Sequence, residues 1–251
     1  MAAKGTGALM PQFDAWTAFH SLKLSAVRTD ATRGTTAIHT PLENLSAAKS
    51  AYGAIVYSKG PAVLRQAEFY LGEEVFNRAV RDFVRRHAYG AAGWQDLVRA
   101  FERASGKRLG RWAEAWVQRR GMPTVRVMDG KLRQHDALGE NGVWPMKLRV
   151  AIEEHGTLFF EDVFLDHSEK TIKRKIKRPN LIYANAGDYG YGRFLLDPRS
   201  LDTALAPEFR VADTLLQSQL TEALWEAVRD AELAPERFLA YALRQLRATR
   251  D

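Results

Sequence analysis

The spacing of the apolar residues changes at the segment GMPTVRV, residues 121–127, and this change constrains the fold more than any other feature. Before the segment, apolar residues recur every three to four positions, which is the spacing of one face of an α-helix. After it they alternate with polar residues, as they do in a strand with one buried face. Gly121 and Pro123 mark the boundary, because both residue types interrupt regular helices. The sequence therefore predicts a helical part followed by a part built of strands.

Residues 1–121 are predicted to be helical. Glycines at positions 72, 90 and 106 stand where the apolar stripes break, and they are expected to end helices. The clearest stripes follow Gly60 and consist of Leu64, Ala67 and Leu71; Phe76, Val80, Phe83 and His87; Trp94, Leu97, Val98 and Phe101; and Leu109, Trp112, Trp116 and Val117.

Residues 122–197 are predicted to form a small antiparallel β-sandwich. Short alternating segments are separated there by turn sequences, among them DG at 129–130, GENG at 139–142 and EEHG at 153–156. Residues 198–251 return to helical spacing, with Leu216, Leu220 and Leu224 on one face. The predicted fold class is therefore α+β and multidomain, with boundaries at residues 1–121, 122–197 and 198–251.

Composition excludes several classes of site. The chain of 251 residues has no cysteine, so disulfides and thiolate metal sites are excluded. No apolar run reaches the length of a membrane span, and we expect no membrane partner. The first residues, MAAKGTGALMPQ, do not have the pattern of a signal peptide, which predicts a cytoplasmic location.

Basic residues are concentrated in KTIKRKIKR, residues 170–178, within a chain of net charge +7. One interpretation is a patch that contacts the phosphates of a nucleic acid. The other is an exposed strand, in which Ile172 and Ile176 share one face with Arg174 and Arg178. The strand is favoured, because no aromatic residue interleaves the run as a base-stacking platform would require. Nucleic acid is therefore the less favoured partner.

The sequence contains no H-E-x-x-H helix, no G-x-x-x-x-G-K-[ST] loop and no G-x-S-x-G elbow. It does contain an ordered set of short motifs that resembles the zinc-dependent aminopeptidase N family of metallopeptidases, a family of gluzincins. The resemblance extends from about Trp16 to about Leu246. The motifs are AYGAIVYSKG at 51–60, LGEEVF at 71–76, HAYG at 87–90, the tryptophans 112 and 116 leading to Gly121–Met122–Pro123, and IYANAGDYGYGRFLLD at 182–197.

The resemblance implies an architecture and two site residues. Residues 1–121 would be the all-α tail of a thermolysin-like catalytic domain, followed by the sandwich and the beginning of a C-terminal α-helical domain. Tyr57 matches the family tyrosine whose hydroxyl stabilises the oxyanion formed at the scissile carbonyl, and Tyr52 matches a second tyrosine that lines the substrate site. Lys59 and Gly60 are interpreted as structural. A lone tyrosine at such a position is otherwise a core aromatic, so that alternative stays open from the residues alone.

One part of the family pattern is missing. The metal-binding H-E-x-x-H helix precedes the tyrosine in the family, whereas only 56 residues precede Tyr57 here. The resemblance thus implies no cofactor in this chain, zinc and a peptide substrate in the complete enzyme, and no activity of the chain alone. We expect an exposed apolar face around residues 40–70. It would be covered by self-association of the chain or by an N-terminal segment that is missing here. The alternative is a non-catalytic binding or scaffold module derived from the family.

Overall fold

The computed structural model describes residues 2–44, 46, 49, 52–174, 177 and 179–248. As the apolar spacing predicts, helices come first, strands follow and helices return. The helices before the strands are α1 (Ala2–Leu9), α2 (Ala15–Asp30), α3 (Gly60–Leu71), α4 (Glu73–Arg86), α5 (Trp94–Ser105) and α6 (Gly110–Ala113). A π-helical turn, Ile55–Lys59, leads into α3, and a second one, Glu114–Gln118, continues α6.

The predicted helix ends at Gly72 and Gly106 are confirmed. Gly72 separates α3 from α4 with a φ of 88°, and Gly106 follows α5 with a φ of 69°. Residues other than glycine adopt this left-handed region at a cost, so these two positions stop the helices where the sequence predicts. After the strands come α7 (Pro198–Leu205), α8 (Thr214–Arg229) and α9 (Pro235–Ala248).

The strands form two small sheets. The first has the order β5-β2-β1-β7 and the second the order β4-β3-β6. Neighbouring strands are antiparallel except for β1 and β7, which pair in parallel with Val125 opposite Phe194. The strands are β1 (Pro123–Met128), β2 (Lys131–Asp136), β3 (Met146–Glu154), β4 (Thr157–Leu165), β5 (Glu169–Thr171), β6 (Leu181–Tyr183) and β7 (Arg193–Leu195).

The prediction that the strands are antiparallel is therefore wrong for one pair, β1 and β7. β6 belongs to the second sheet and β7 to the first, so the chain crosses between sheets through residues 184–192. A crossing of this kind can return a strand in the same direction as its neighbour, whereas a hairpin cannot. Within residues 181–186 only Leu181–Tyr183 form a strand, and within residues 191–197 only Arg193–Leu195 do.

The exposed strand predicted over residues 170–178 is wrong at residues 172–174, because β5 ends at Thr171. The carboxylate of Glu161 accepts hydrogen bonds from the backbone N–H groups of Lys173 and Arg174, both at 2.8 Å, so these donors do not join a strand ladder. The Arg174 guanidinium lies 3.7 Å from the centroid of the Phe159 ring. Lys175, Ile176 and Arg178 lie outside the described residues. Nucleic-acid binding by this run stays the less favoured prediction.

One hydrophobic core includes buried residues of the helices and of both sheets. Trp116, which the sequence places on an apolar stripe, is fully buried, and its indole N–H donates to the Pro145 carbonyl at 2.7 Å. Trp112 donates in the same way to the side-chain oxygen of Gln66 at 2.8 Å. These bonds satisfy the polar edge of each buried indole. The division of the chain into three domains stays a prediction.

In the part of the chain that the structure describes, we find no helix with the length and apolarity that crossing a membrane requires.

Candidate functional site

Tyr57 lies in the π-helical turn Ile55–Lys59, directly before α3. The Gly60 N–H donates to the Ile55 carbonyl, and the Tyr57 N–H donates to the Gly53 carbonyl at 3.0 Å. Pro61 follows, and because proline has no N–H it cannot bond to the carbonyl of Tyr57 four residues earlier. An interrupted hydrogen-bond ladder of this kind accommodates a wider helical turn, and such turns are frequent at functional sites.

The turn separates its side chains into two directions. Ile55 and Lys59 are buried, whereas Val56 and Tyr57 are exposed. Tyr57 retains 65% of its accessible surface, so its ring is not packed in the core that the described residues form. The phenol is therefore presented at the surface of this chain.

The structure brings the two predicted site tyrosines together. Tyr52 is 64% exposed, and the centroids of the Tyr52 and Tyr57 rings lie 6.0 Å apart at an interplanar angle of 34°. Val56 is exposed beside them. We call these three residues, Tyr52, Val56 and Tyr57, the aromatic face. Leu42 and Leu64 are further exposed apolar residues of the predicted region 40–70.

Lys59 points in the opposite direction and is fully buried. Its ammonium lies 2.8 Å from the Asp30 carboxylate, at the end of α2, and donates to the Gly121 carbonyl at 2.8 Å. Burial lowers the pKa of Lys59, and the attraction of Asp30 opposes that shift. The interpretation of Lys59 as a structural residue agrees with this arrangement.

Asp30 is the centre of this buried network, and sequence reasoning missed it. The Tyr191 hydroxyl donates to one carboxylate oxygen at 2.9 Å, and the Thr35 hydroxyl donates to the other at 2.5 Å. Burial raises the pKa of Tyr191 well above its ordinary value, and the negative charge of Asp30 adds to the effect. Tyr191 is fully buried.

A second buried network surrounds Asp188, which sequence reasoning also missed. Its carboxylate accepts a short hydrogen bond from Lys23 and lies 3.0 Å from Nδ1 of His20, both in α2. Burial alone would raise the pKa of Asp188, but Lys23 and His20 together hold it below the usual range. Asp188 belongs to AGDYGYG, the crossing between the sheets, and Gly187 there has a φ of 78°, as expected of a turn glycine.

No group of three or more His, Cys, Asp or Glu side chains is placed to share a metal ion among the residues that the structure describes. His20 faces Asp188, and the ring of His39 lies beside Trp94 with centroids 5.9 Å apart. The described residues therefore do not fit a zinc ion, which needs three or four converging ligands.

Comparison with protein families gives a match for the part of the chain that contains these residues. The sequence model of the peptidase family M1 domain matches residues 1–116. This stretch contains the aromatic face, Lys59 and Asp30. The resemblance predicted from the motifs is thereby confirmed.

Three relatives with assigned names have similar sequences. Aminopeptidase N of Streptomyces lividans is 29% identical over 91% of this chain and 30% of its own length. Tricorn protease-interacting factor F2 of Thermoplasma volcanium is 27% identical over 82% of this chain and 26% of its own length. Aminopeptidase M1 of Arabidopsis thaliana is 31% identical over 51% of this chain and 15% of its own length. The chain thus spans less than a third of each of these relatives.

Proposed function

We propose that this chain, whose residues 1–116 match the peptidase family M1 domain, is the part of a zinc aminopeptidase that contributes the oxyanion-stabilising tyrosine. The complete enzyme would remove N-terminal residues from peptides. In this proposal residues 1–121 are the helical tail of a thermolysin-like catalytic domain, 122–197 a β-sandwich domain and 198–251 the beginning of a C-terminal helical domain. A cytoplasmic location stays a prediction.

The role proposed for Tyr57 is the donation of one hydrogen bond from its hydroxyl to the oxyanion that forms when water attacks the scissile carbonyl. A phenol suits this task because it is neutral at working pH and donates a single directed bond to charge that develops in the transition state. Tyr52, whose ring lies beside that of Tyr57, would line the substrate site.

The observation that carries the proposal is the combination of an exposed phenol with a buried anchor in one turn. Tyr57 is exposed, whereas Lys59, two residues later, is fully buried and paired with Asp30. A tyrosine that meets a substrate must be accessible from outside the core and carried on a well-held backbone. An exposed phenol two residues before a buried, paired lysine supports that role.

The zinc ion of the family would have to be bound by residues outside this sequence. The sequence has no H-E-x-x-H motif, and the described residues do not fit a metal ion. We therefore assign no metal-dependent step to this chain. The aromatic face would be covered by the segment that carries the metal site, or in the isolated chain by self-association.

An assay of the isolated chain tests its predicted inactivity. Purified chain is incubated with aminoacyl p-nitroanilides, and bound zinc is measured in parallel by mass spectrometry. We expect neither turnover nor stoichiometric zinc. Turnover that a chelator abolishes would refute this part of the proposal.

The alternative is a non-catalytic module derived from the family. The short coverage of the relatives agrees with either interpretation. The DNA upstream of the first codon distinguishes the two. An open frame that encodes H-E-x-x-H supports the enzyme, whereas a stop codon followed by a ribosome-binding site supports the module.

A further inference from the structure

We propose that the buried ion pair of Lys59 and Asp30 positions the Tyr57 phenol, by fixing the π-helical turn that carries it. The importance of that position for catalysis rests on the proposed function. The coupling between the ion pair and the turn does not, since it is a property of this chain alone.

The pair joins separate parts of the chain at one point. Asp30 is the last residue of α2, and it accepts from Thr35 in the following loop and from Tyr191 in the crossing between the sheets. Lys59 is the last residue of the turn, and its second bond is to the carbonyl of Gly121, where the first sheet begins. The end of the turn is thus held against α2, the sheet entry and the crossing at once.

The backbone of the turn is hydrogen-bonded, with the Tyr57 N–H donating to the Gly53 carbonyl and the Gly60 N–H to the Ile55 carbonyl, but one bond of a regular helix is missing. Pro61 has no N–H to give to the carbonyl of Tyr57, so the helical ladder is interrupted at this point. The exposed ring of Tyr57 packs on the exposed ring of Tyr52. Ile55 and Lys59 are the buried side chains of the turn, and Lys59 is the one with directed bonds.

Stability alone is a weak explanation for a buried ion pair. Removing two charges from water is costly, and apolar residues of the same volume often stabilise a core equally well or better. An ion pair with hydrogen bonds at both ends differs from an apolar contact because it permits one geometry. The pair lies two residues from the exposed phenol of Tyr57. A phenol that donates a directed hydrogen bond to a transition state must be held in a fixed position.

The chain offers a matched control in Lys23 and Asp188. This is another buried Lys–Asp pair with one residue in α2, but it joins α2 to the crossing between the sheets and not to the turn. Lys23 lies in the middle of α2 and has its bonds to Asp188 and the Gly190 carbonyl, not to the Tyr57 turn. Replacement of either lysine by methionine removes a buried charge, but only the Lys59–Asp30 pair includes a residue of the turn.

Amide hydrogen exchange measured by mass spectrometry tests the proposal on Lys59→Met, Asp30→Asn and Lys23→Met. Circular dichroism first establishes conditions in which each variant is folded. We expect K59M and D30N to accelerate exchange in peptides spanning residues 54–60 by about tenfold or more relative to the unchanged chain. K23M should leave these peptides unchanged and accelerate exchange near residues 186–190 instead.

Equal acceleration of exchange in 54–60 by K59M and K23M would show a general loss of stability and overturn the proposal. Unchanged exchange in 54–60 in K59M would also overturn it. If K59M and D30N do not fold, Lys59→Arg provides the decision. It keeps the buried charge but cannot keep both bonds of the Lys59 ammonium, to Asp30 and to the Gly121 carbonyl, in the same geometry. Exchange in 54–60 should then rise with little change elsewhere, and unchanged exchange in 54–60 would again overturn the proposal. Hydrogen exchange does not depend on activity. If the exchange experiment gives the contrary result, the proposed catalytic role of Tyr57 is unaffected. If Tyr57 proves to have no catalytic role, the coupling between the ion pair and the turn is unaffected.

Discussion

The guanidinium carbon of Arg65 lies 3.3 Å from the centroid of the Trp16 ring. Arg65 belongs to α3 and Trp16 to α2, and one Arg65 nitrogen also donates to the Gly187 carbonyl at 2.7 Å in the crossing between the sheets. The planar guanidinium can stack on an indole and donate in its own plane at the same time, whereas an ammonium cannot. Arg65 thereby links two helices to the sheets.

Replacement of Arg65 by lysine should lower the free energy of unfolding by about 1 to 2 kcal/mol. The charge is kept, but the stacking on Trp16 and the fixed bond to Gly187 are lost. Urea denaturation measures the change. Arg85→Lys, at an exposed position of α4, is the control and should change stability by less than about 0.5 kcal/mol. Equal stability of both variants would contradict the structural role of the stack.

The Asp188 cluster should make stability sensitive to acid. At neutral pH, Asp188→Asn leaves Lys23 buried without its counter-charge and should cost about 3 to 5 kcal/mol. The folded-state pKa of Asp188 is lower than its ordinary value of 3.8, so the contribution of the carboxylate is complete above about pH 4. It is lost as the pH falls through the folded-state pKa.

Urea titrations of both proteins at several pH values test this. The difference in unfolding free energy between the unchanged chain and D188N should stay constant from pH 7 to about pH 4 and shrink at lower pH. His20 faces the same carboxylate. A difference that already shrinks between pH 7 and 5 would contradict the prediction.

Gly190 should not tolerate a side chain. A Cβ atom there would lie 2.5 Å from Leu148 Cδ2 and 2.7 Å from Phe194 Cζ, closer than real Cβ contacts permit. Gly190→Ala should therefore destabilise the chain by about 1 to 3 kcal/mol. Gly110→Ala in α6 meets no atom within 4 Å and should stabilise by about 0.4 to 1 kcal/mol. Thermal unfolding of both variants distinguishes them, and a neutral G190A would show that the crossing is packed differently.

The aromatic face should make the isolated chain self-associate. Exposed contiguous apolar groups are uncommon in monomers, and Tyr52 and Tyr57 are in ring contact at the surface. Light scattering should show a mass that rises with concentration, and Tyr52→Ser with Tyr57→Ser should weaken the rise. Leu239→Ser with Leu246→Ser, at exposed positions of α9, is the control. A monodisperse monomer, or association lost only in the α9 variant, would contradict the prediction.

Much of the fold could be predicted from local spacing. The helices on either side of the strands, the breaks at Gly72 and Gly106, and the strands β1 to β4 follow from apolar periodicity and turn residues. The predictions were wrong where the structure of a segment depends on residues distant in the sequence. The parallel pairing of β7 depends on a crossing between sheets, and the end of β5 depends on Glu161, a residue of another strand.

The site shows the same limit. Motifs single out Tyr57 and Tyr52, and the structure places their rings together. Periodicity cannot reveal that Asp30 meets Lys59, because the two residues belong to separate helical segments and meet only through tertiary packing. It also could not indicate that Asp188, in a glycine-rich turn, faces Lys23 and His20 of α2. The signal available in the sequence was only that Lys59 follows Tyr57 by two residues.

The central claim is that Tyr57 supplies a hydrogen bond to the oxyanion, and one measurement tests it most directly. Streptomyces lividans aminopeptidase N, in which this chain replaces the matching stretch, provides the upstream segment. In a chimera with measurable activity, Tyr57→Phe should lower kcat by about 100- to 1,000-fold with little change in KM, because the lost bond forms only in the transition state. Tyr52→Phe should have a smaller effect. A Y57F chimera that retains the kcat of the unsubstituted chimera would contradict the claim.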